Sequence, residues 1–371
     1  MSKLNMFAPI NLLGYGVVGK NLFKALSKQI DIALFPVGNI HLDTEELASD
    51  IQKAINNGHI FDKVFHQSPC LKIWHEHDLA NRIGNGPQYA FPFFEINALD
   101  ERRINHLSSM DTIIVASTWA KDVIERYSQI SAPVKVVPLG VDPNIFSYKP
   151  QATEDVCVFL NCGKWEKRKG HDILLEMFKQ AFPNEKDVAL WMMPSNPFLS
   201  NKDRHEWERY YNSDARVKII PHLTTHQEVA NMMSLSYCGI FPSRAEGWNL
   251  ELLEMMAMGK HVIATDYSAH TQFCNDKNAK LIKINNFEKA EDTVFFTNSV
   301  GEWASLDGDP FNQGVEYLRH YYEKWKSNPI SHNEEGIKTA QKLSWSNTAH
   351  QLEEVIYGSP SAKAQQELQT A

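Results

Sequence analysis

Two apolar runs around a glycine-containing turn and an apolar helix constrain the fold of this chain most. Residues 237–241 form the first run, and the turn that follows contains Glu246 and Gly247. A segment rich in Leu, Met and Ala then leads to Gly259, and residues 260–266 form the second apolar run. Strand, turn, helix and strand in this order predict two neighbouring strands of a parallel sheet.

The turn and the helix of this stretch each carry a carboxylate, Glu246 in the turn and Glu254 on the helix. Burying a charge on an apolar helix is costly unless something pairs with it, and a polar ligand is one such partner. Free backbone N–H groups at a helix N-terminus also attract anions. The stretch therefore predicts a pocket for a molecule with phosphates at one end and hydroxyls at the other. Spacing alone favours the alternative, a buried amphipathic helix with Glu254 at its wet edge.

The totals of the chain set the class of protein. At 371 residues it should hold about two domains, and its formal charge of −8 gives no general attraction to nucleic acid or anionic membrane. Five scattered cysteines indicate reduced thiols rather than disulfides. No apolar run has the length of a membrane span, and the N-terminus lacks a signal-peptide core. We expect a soluble, cytoplasmic protein without stable membrane insertion.

Strands and helices alternate twice along the chain, with a break in the middle. Residues 149–153 are polar and contain a proline, which is typical of a linker. The alternation predicts two doubly wound α/β domains that face each other across a cleft. We expect an N-terminal domain over 1–148, completed by a C-terminal helix at about 343–357, and a second domain over 152–342. The tail, 358–371, is expected to be frayed.

Several elements have clear local signals. Apolar residues predict a strand over 188–193, and helical spacing predicts helices over 201–211 and 334–342. Ser117 and Thr225 are the predicted caps of two further helices, one in each domain.

The stretch around Glu246 resembles the E-x(7)-E motif of the family-four retaining glycosyltransferases. The matching residues are Ser243, Glu246-Gly247, Asn249-Leu250 and the segment Leu253-Glu254-Met255-Met256-Ala257-Met258-Gly259. Asn249 stands where the family usually has glycine. The resemblance implies a GT-B fold of two Rossmann-like domains, with the donor in the second. It also implies that Glu246 holds the hydroxyls of the donor sugar and that Glu254 holds the ribose.

A basic loop precedes the predicted helix that starts at Asp172. On its own, this loop could be a phosphate cradle or a solvated charged loop. The pattern from Gly163-Lys164 to Lys169-Gly170 resembles the family's donor diphosphate loop. Lys164 stands in for an arginine, so it keeps the charge and loses the bidentate fork. The resemblance assigns the diphosphate to Lys169 and Lys164, next to Gly163 and the N–H groups of residues 247–250, namely Gly247, Trp248, Asn249 and Leu250.

Further blocks in the expected order extend the resemblance over most of the chain. Residues 136–146 resemble the family's interdomain strand and loop, residues 260–266 its strand after the motif, and residues 343–349 the start of its final helix. The loop 268–272 departs from the family, which commonly has glycines and an acid there. The segment 285–312 has no counterpart and is interpreted as an insertion without assigned structure.

The first predicted strand, residues 6–13, runs into Gly14, Gly16 and Gly19, and a helix is predicted over 21–29. Strand, glycine turn and helix are typical of a nucleotide-binding α/β domain. No acidic residue closes a second strand where a dinucleotide fold would hold a ribose, so an NAD-type oxidoreductase is the second hypothesis. In the resembling family such a loop lies against the donor or the acceptor, which makes Gly16 a candidate donor-binding residue.

A predicted strand over 71–74 ends in His75-Glu76-His77-Asp78. This resembles the family's strand-end His-x-His-Asp, in which a histidine lies near the reacting sugar. We expect His75 rather than His77 to face the active site. Two histidines and two acids could also hold a metal ion, but no further ligand cluster is evident, and a structural histidine is the simplest interpretation. We therefore predict no metal.

The combined expectation is a retaining glycosyltransferase, a hexosyl- or pentosyltransferase, with Glu246, Lys169 and His75 as catalytic residues. Its partner is a nucleotide-sugar donor, and no cofactor or metal is needed because lysine neutralises the diphosphate. A glycan or small-molecule acceptor is favoured over a lipid-linked sugar, and a hydroxylated nucleic-acid base stays open. A sugar-nucleotide-binding protein without catalysis is a third hypothesis.

Overall fold

The computed structural model describes residues 2–58, 65–150, 155–194 and 196–358. The chain divides into two compact units. The first, here called the first domain, comprises the described parts of 1–94, 100–140 and 343–371; the second domain comprises those of 95–99 and 141–342. This division falls at residue 140 rather than at the predicted 148–152. The middle of the predicted linker, 151–154, and the predicted tail from residue 359 lie outside the described residues.

The first domain is built on a six-stranded sheet in which every neighbouring pair is parallel. The strand order is β2-β1-β3-β4-β5-β6, so the order along the chain reverses between β1 and β3. The strands are β1 (Ser2–Ala8), β2 (Ile30–Pro36), β3 (Cys70–Lys72), β4 (Gln88–Ala90), β5 (Thr112–Val115) and β6 (Val134–Val136). The helices are α1 (Gly14–Leu26), α2 (Ala48–Asn57), α3 (Glu101–Ser108), α4 (Thr118–Ile124) and the C-terminal α11 (Trp345–Tyr357).

The glycines near the N-terminus lie inside α1 and not in a turn that precedes it. The predicted start of this helix, residue 21, is therefore wrong, because α1 begins at Gly14. A Cβ atom on Gly16 would overlap Asn11, and one on Gly19 would overlap the carbonyl oxygen of Pro9. These two glycines allow the helix to lie directly against the chain that leaves β1.

The second domain repeats the architecture with a second parallel sheet of order β12-β11-β10-β7-β8-β9. Its strands are β7 (Cys157–Cys162), β8 (Val188–Met193), β9 (Val217–Ile219), β10 (Cys238–Phe241), β11 (His261–Thr265) and β12 (Lys280–Ile282). Its helices are α5 (His171–Ala181), α6 (Asn201–Tyr211), α7 (His226–Ser234), α8 (Leu250–Ala257), α9 (Asp309–Ser327) and α10 (Glu334–Lys342). The predicted Thr225 cap of α7 is present as a capping box with Glu228.

The segment 285–312, interpreted above as an insertion without assigned structure, contains a short antiparallel hairpin, β13 (Phe287–Lys289) and β14 (Glu302–Ala304). Trp303 is fully buried, and its indole N–H donates to the backbone oxygen of Glu95 at 2.8 Å. It packs with Ile96 and with Ala245, the residue before Glu246. The segment 285–312 therefore packs against the loop that carries Glu246.

The core of the second domain is rich in aromatic side chains from α5, α6 and α9. The buried aromatic side chains of these helices are Phe178, Tyr211, Tyr321, Tyr322 and Trp325, and Phe159 of β7 and Phe182 after α5 pack in the same cluster. Each fully buried side chain of this size contributes about 1.5–3 kcal/mol to folding, which gives the site a rigid base. Among the described residues, no helix has both the length and the apolarity that a bilayer crossing requires.

Candidate functional site

The loops that follow β7 and β10 meet at the carboxyl edge of the second sheet. These strands are parallel neighbours, and the strand order reverses between them. Ligands of doubly wound sheets bind at such a reversal point, outside the carboxyl ends of the strands. The loop after β7 carries Gly163–Gly170, and the loop after β10 carries Pro242–Asn249. The two stretches that the sequence singled out are therefore adjacent.

Glu246 lies at the centre of this edge and is 4% exposed. One carboxylate oxygen accepts from the Ser243 hydroxyl at 2.8 Å and from Lys169 Nζ at 2.9 Å. The other accepts from Arg168 Nη1 at 2.8 Å, and the Glu246 backbone N–H donates to the Ser268 hydroxyl at 2.8 Å. Burial opposes the charge on this carboxylate, but Lys169 and Arg168 outweigh it, so the pKa of Glu246 lies well below its ordinary value.

Arg168 is the principal site residue that the sequence analysis did not identify. Its guanidinium donates to the Ala245 carbonyl oxygen at 2.8 Å, to Glu246 and, at 2.6 Å, to Glu166. The carboxylate of Glu95 lies 3.9 Å away, and burial raises the pKa of that carboxyl to about 7. Burial also opposes the charge on Arg168, but the surrounding carboxylates raise its pKa well above normal. The signal that could have revealed Arg168 is the presence of two acids, Glu166 and Glu246, in the two loops, because buried carboxylates need a cation as partner.

Lys169 reaches Glu246 because two glycines make room for its loop. Gly163 has φ of 136°, and a Cβ atom there would lie 2.7 Å from Cδ of Lys169. Gly170, with φ of 74°, starts α5 in the left-handed region, and a Cβ atom on it would overlap the Pro242 carbonyl oxygen. Burial opposes the charge of Lys169, yet Glu246 raises its pKa overall, so the buried amine is charged at neutral pH.

Lys164, the other predicted diphosphate ligand, is placed differently from Lys169. Its Nζ lies 3.1 Å from a Glu166 carboxylate oxygen, and its side chain is 34% exposed. It also lies 4.6 Å from the ring centre of Phe295, which belongs to the 285–312 segment. No ion pair joins Lys164 to Glu246 in the described part of the chain. Lys164 is therefore an exposed charge beside the Glu246 network.

Asn249, which stands where the family usually has glycine, has φ of 84° and begins α8. Its side-chain oxygen accepts from the Leu252 N–H at 3.2 Å, which caps the helix. Its amide lies 2.9 Å from Nε2 of His270, whose Nδ1 lies 3.0 Å from the Thr265 carbonyl oxygen. That carbonyl can only accept, so Nδ1 carries the proton and Nε2 accepts from Asn249. Ser268 in the same loop also has a positive φ, 55°. The two departures from the family thus contact each other.

The start of α8 offers donors that the protein itself does not use. The backbone N–H groups of Gly247, Trp248 and Leu250 have no acceptor among the described residues. The buried indole N–H of Trp248 likewise has none in that part of the chain. Glu254 is 8% exposed on the same helix. Burial raises the pKa of the Cys162 thiol, and Glu251 and Glu254 raise it further. Both carboxylates therefore lie near the end of β7.

The first domain has its own reversal point, between β1 and β3, and it is lined by rings. His75 follows β3, and its ring centre lies 4.6 Å from that of Tyr15 at the start of α1 and 4.7 Å from that of Trp74. His77 stacks on His75 at 5.1 Å, and its Nδ1 lies 3.4 Å from Glu76. Both histidines therefore lie at this edge, with His75 closer to Tyr15.

His75, Glu76 and His77 can each offer one ligand atom, a ring nitrogen or a carboxylate oxygen, and these three atoms lie within 4.8 Å of one another. Such a trio has the donor types of a zinc or iron site. Glu76 is also bound at 2.8 Å by the guanidinium of Arg103, which already neutralises it.

The end of β2 is the position at which a dinucleotide site needs an acid. There, Pro36 is followed by Val37 and Gly38, and neither carries a carboxylate.

Comparisons with known proteins agree with this geometry. Residues 156–294 match the family model described as "Glycosyl transferases group 1". "Putative glycosyltransferase 45" of Sulfolobus islandicus filamentous virus is 23% identical over 255 residues, 67% of each chain. A sucrose-phosphate synthase from Thermosynechococcus elongatus superposes with a TM-score of 0.68 at 14% identity, with 100% of each chain covered. Anabaena HepE superposes with a TM-score of 0.67 at 13% identity, covering 96% of this chain and 99% of its own.

The solved structures establish the fold, and the family model covers most of the second domain. Both sheets are parallel, as the GT-B class requires, and the E-x(7)-E stretch lies inside the matched residues. The sequence motif, the match over residues 156–294 and the fold thus agree: the chain has the GT-B fold, and most of its second domain is similar to the group 1 glycosyl transferases.

Proposed function

We propose that this protein is a glycosyltransferase that moves a sugar from a nucleoside diphosphate sugar to an acceptor hydroxyl with retention of the anomeric configuration. The observation that carries the proposal is the buried group at the second sheet's reversal point. There, one carboxylate, Glu246, holds two cations, Lys169 and Arg168, next to the open N-terminus of α8. Anabaena HepE, which has the same fold, has been solved with UDP-glucose and with UDP.

The diphosphate of the donor is assigned to the cations and the helix start. Negative charge grows on the diphosphate as the sugar leaves, and fixed positive groups stabilise that charge most strongly in a buried site. Lys169 and Arg168 are held in position before any ligand arrives, so little reorganisation is needed. The unused N–H groups of Trp248 and Leu250 add backbone dipoles. Lys164 contributes a further charge from the exposed side.

Glu246 is assigned to the hydroxyls of the donor sugar. A carboxylate offers about four acceptor positions. The Ser243 hydroxyl and Lys169 occupy one oxygen, whereas Arg168 is the partner of the other. One position on the second oxygen is thus left for a sugar hydroxyl, and a charged hydrogen bond of this kind contributes about 1.5–3 kcal/mol.

Glu254 is assigned to the ribose of the nucleotide. It is a buried carboxylate on the helix whose N-terminus is assigned to the diphosphate, and paired ribose hydroxyls would donate two hydrogen bonds to it. Glu254 lies eight positions after Glu246 along the chain. In this proposal, Glu254 binds the ribose end of the nucleotide sugar and Glu246 binds the sugar end.

In the proposed chemistry, the bond between the anomeric carbon and the departing diphosphate oxygen breaks, and the acceptor oxygen forms a new bond on the same face. The departing phosphate oxygen takes the acceptor proton, so no separate base is required. His75 is proposed to lie beside the reacting sugar, where its ring N–H can donate a hydrogen bond and its unprotonated ring nitrogen can accept one. Neutralisation by Lys169 and Arg168 makes a metal ion unnecessary in this scheme.

For the acceptor, we favour a glycan or a hydroxylated small molecule. The net charge of −8 opposes binding to a nucleic-acid backbone. A hydroxylated nucleic-acid base is the second candidate, to be separated from the first by an acceptor panel.

The test is a transfer assay with UDP-, GDP- and ADP-sugars, in which release of the nucleoside diphosphate is measured with and without an acceptor panel. We expect one nucleotide class to be consumed, and Lys169→Gln to reduce its consumption at least about a hundredfold. Lys202→Gln, an exposed lysine on α6, is the matched control. Proton NMR of the product's anomeric coupling reports retention. An inverted product would refute the stereochemistry, and donor binding without any turnover would refute catalysis.

A further inference from the structure

A second cavity lies in the second domain, at the amino ends of β11 and β12. It has a volume of about 250 Å³. His261 and Lys280, the first residues of these strands, line it together with His320 and Lys324 of α9 and with His332, which precedes α10. With Lys277, six basic or imidazole residues from separate parts of the chain therefore line one space.

This cavity is distinct from the Glu246 site, because the two lie at opposite edges of the same sheet. Thr265, the last residue of β11, donates its hydroxyl hydrogen to the Ser243 carbonyl oxygen at 2.6 Å and so belongs to the Glu246 edge. His261 lies four residues earlier on that strand. At about 3.3 Å per residue, the separation along β11 is roughly 13 Å.

Two of the three lysines that line the cavity, Lys280 and Lys324, have no counter-charge within the described residues. Neither Lys280 nor Lys324 makes an ion pair or a hydrogen bond through Nζ there. Lys280 lies 5.7 Å from the ring centre of Tyr317, a contact that leaves its donors unsatisfied. Both side chains are of intermediate exposure, so neither is a fully solvated surface charge.

The carboxylates at the rim are already paired with other lysines. Glu334 and Glu335 lie 3.4 and 2.8 Å from Lys338. Asp276 lies 3.6 Å from Lys283. These acids therefore have lysine partners outside the cavity, whereas Lys280 and Lys324 have no carboxylate partner among the described residues.

Lysines near the cavity affect the pKa values of two histidines that line it. Burial and then Lys280 and Lys324 lower the pKa of His320. Burial, followed by Lys324, His332 and His320, lowers the pKa of His261 to about 3. Lys280 and Lys324 thus disfavour a charge on the two imidazoles, and an anion bound between the lysines would offset their positive charge.

We propose that this cavity is a second anion-binding site, which takes a phosphate or sulfate group, either free or carried by a small molecule. Lys280 and Lys324 would approach the anion from two elements, and imidazole N–H groups would complete its hydrogen bonds. A cavity of this size exceeds the roughly 30 Å³ that one water occupies, so a group attached to the anion also fits.

The cavity adjoins the end of the motif helix, which gives it a route to the Glu246 site. The backbone N–H of Asn333 donates to the Gly259 carbonyl oxygen at 2.7 Å, and its side chain donates to the Lys260 carbonyl oxygen at 3.2 Å. Gly259 closes the segment that begins at Glu246. A bound anion would therefore hold the start of α10 against the end of the motif.

The test is a calorimetric titration of the full chain with sodium sulfate at constant ionic strength. We expect saturable binding that weakens about tenfold or more in Lys324→Gln and in Lys280→Gln, because each loses a charged hydrogen bond. Lys326→Gln, a neighbour on α9 with an exposed side chain, should bind sulfate like the wild type. Circular dichroism confirms that each variant is folded.

Because a donor site that holds phosphate would also bind sulfate, the titration is repeated on Lys169→Gln. The event that depends on Lys324 should persist in that variant. Glucose 6-phosphate is then compared with inorganic phosphate: tighter binding of the sugar phosphate identifies a phosphorylated small molecule, and equal binding identifies a bare oxyanion. An absence of saturable binding, or binding unchanged in both Lys324→Gln and Lys280→Gln, would overturn the proposal.

Discussion

The two sheets of this protein have reversal points of different composition. At the first, the rings of Tyr15, Trp74 and His75 gather, and His77 is partly exposed. At the second, charged side chains are buried in a network that closes on Glu246. The same α/β architecture thus presents an aromatic surface in one domain and a fixed electrostatic site in the other.

This difference suggests a division of labour between the domains. A buried network of paired charges is preorganised, and it suits a ligand whose charge is constant, such as a diphosphate. Rings with few fixed charges suit a ligand whose shape and hydroxyl pattern vary between enzymes. We therefore infer that donor binding depends on the second domain and that the acceptor is selected in the first. The four variants below test this comparison, from the largest expected effect to the smallest.

Arg168→Met should be the most damaging. It leaves Glu166 and Glu246 buried with one cation fewer, and breaking a buried ion pair in this way costs about 3–5 kcal/mol of unfolding free energy. Chemical denaturation measures the loss. Arg204→Met, at an exposed position on α6, should change stability by less than about 0.5 kcal/mol. Equal losses in the two variants would show that the network does not stabilise the second domain.

Glu246→Gln should reduce transfer about a hundredfold, since it removes a charged acceptor from the sugar and frees Lys169. It should also change acid stability. The pKa of Glu246 is lowered in the folded state, so its stabilisation is complete above the unfolded value of about 4.3 and is lost as pH falls below it.

The stability difference between wild type and Glu246→Gln should therefore be largest near pH 7 and shrink progressively below about pH 4. Urea titrations across that range provide the measurement. A difference that stays constant down to pH 3 would contradict the ion-paired state of Glu246.

His75→Ala should lower kcat about tenfold and leave nucleotide binding unchanged, because the residue belongs to the first domain. The matched variant is His77→Ala, at the neighbouring ring, which should have a smaller effect on kcat. Steady-state kinetics and nucleotide titrations separate the two quantities. If His77→Ala proved the more harmful, the assignment of His75 to the reacting sugar would be reversed.

Asn249→Ala should destabilise the protein by about 1–2 kcal/mol more than Asn249→Gly, because alanine is strained at a positive φ. Asn298, also at a positive φ but with no side-chain hydrogen bond within the described residues, is the control. Its Ala and Gly variants should show the same difference. Only at Asn249 should the Gly variant itself lose stability, through the bond to His270.

Local signals were sufficient for most elements of the second domain. The predicted strand over 188–193 and the helices over 201–211 and 334–342 have the observed bounds, and the predicted Ser117 and Thr225 caps are present. These elements have clear periodicity and capping residues, which depend on neighbours in sequence.

The sequence could not predict features that depend on contacts distant along the chain. Gly16 appeared to belong to a turn, because its packing against Asn11 is visible only in three dimensions. Arg168 lay within a run of basic residues, and nothing local shows that it turns inward to Glu246. The partnership of Asn249 with His270 joins two positions that each looked like an isolated departure from the family.

The most direct test of the central claim is thermal unfolding with UDP, GDP, ADP and NAD, on wild type and on Glu254→Ala. A ligand at a hundred times its dissociation constant stabilises the folded state by about 2.7 kcal/mol, which is readily measured. We predict that one nucleoside diphosphate raises the midpoint and that Glu254→Ala abolishes the rise. A shift with NAD alone, or an unchanged shift in Glu254→Ala, would contradict the placement of the donor at the second domain's reversal point.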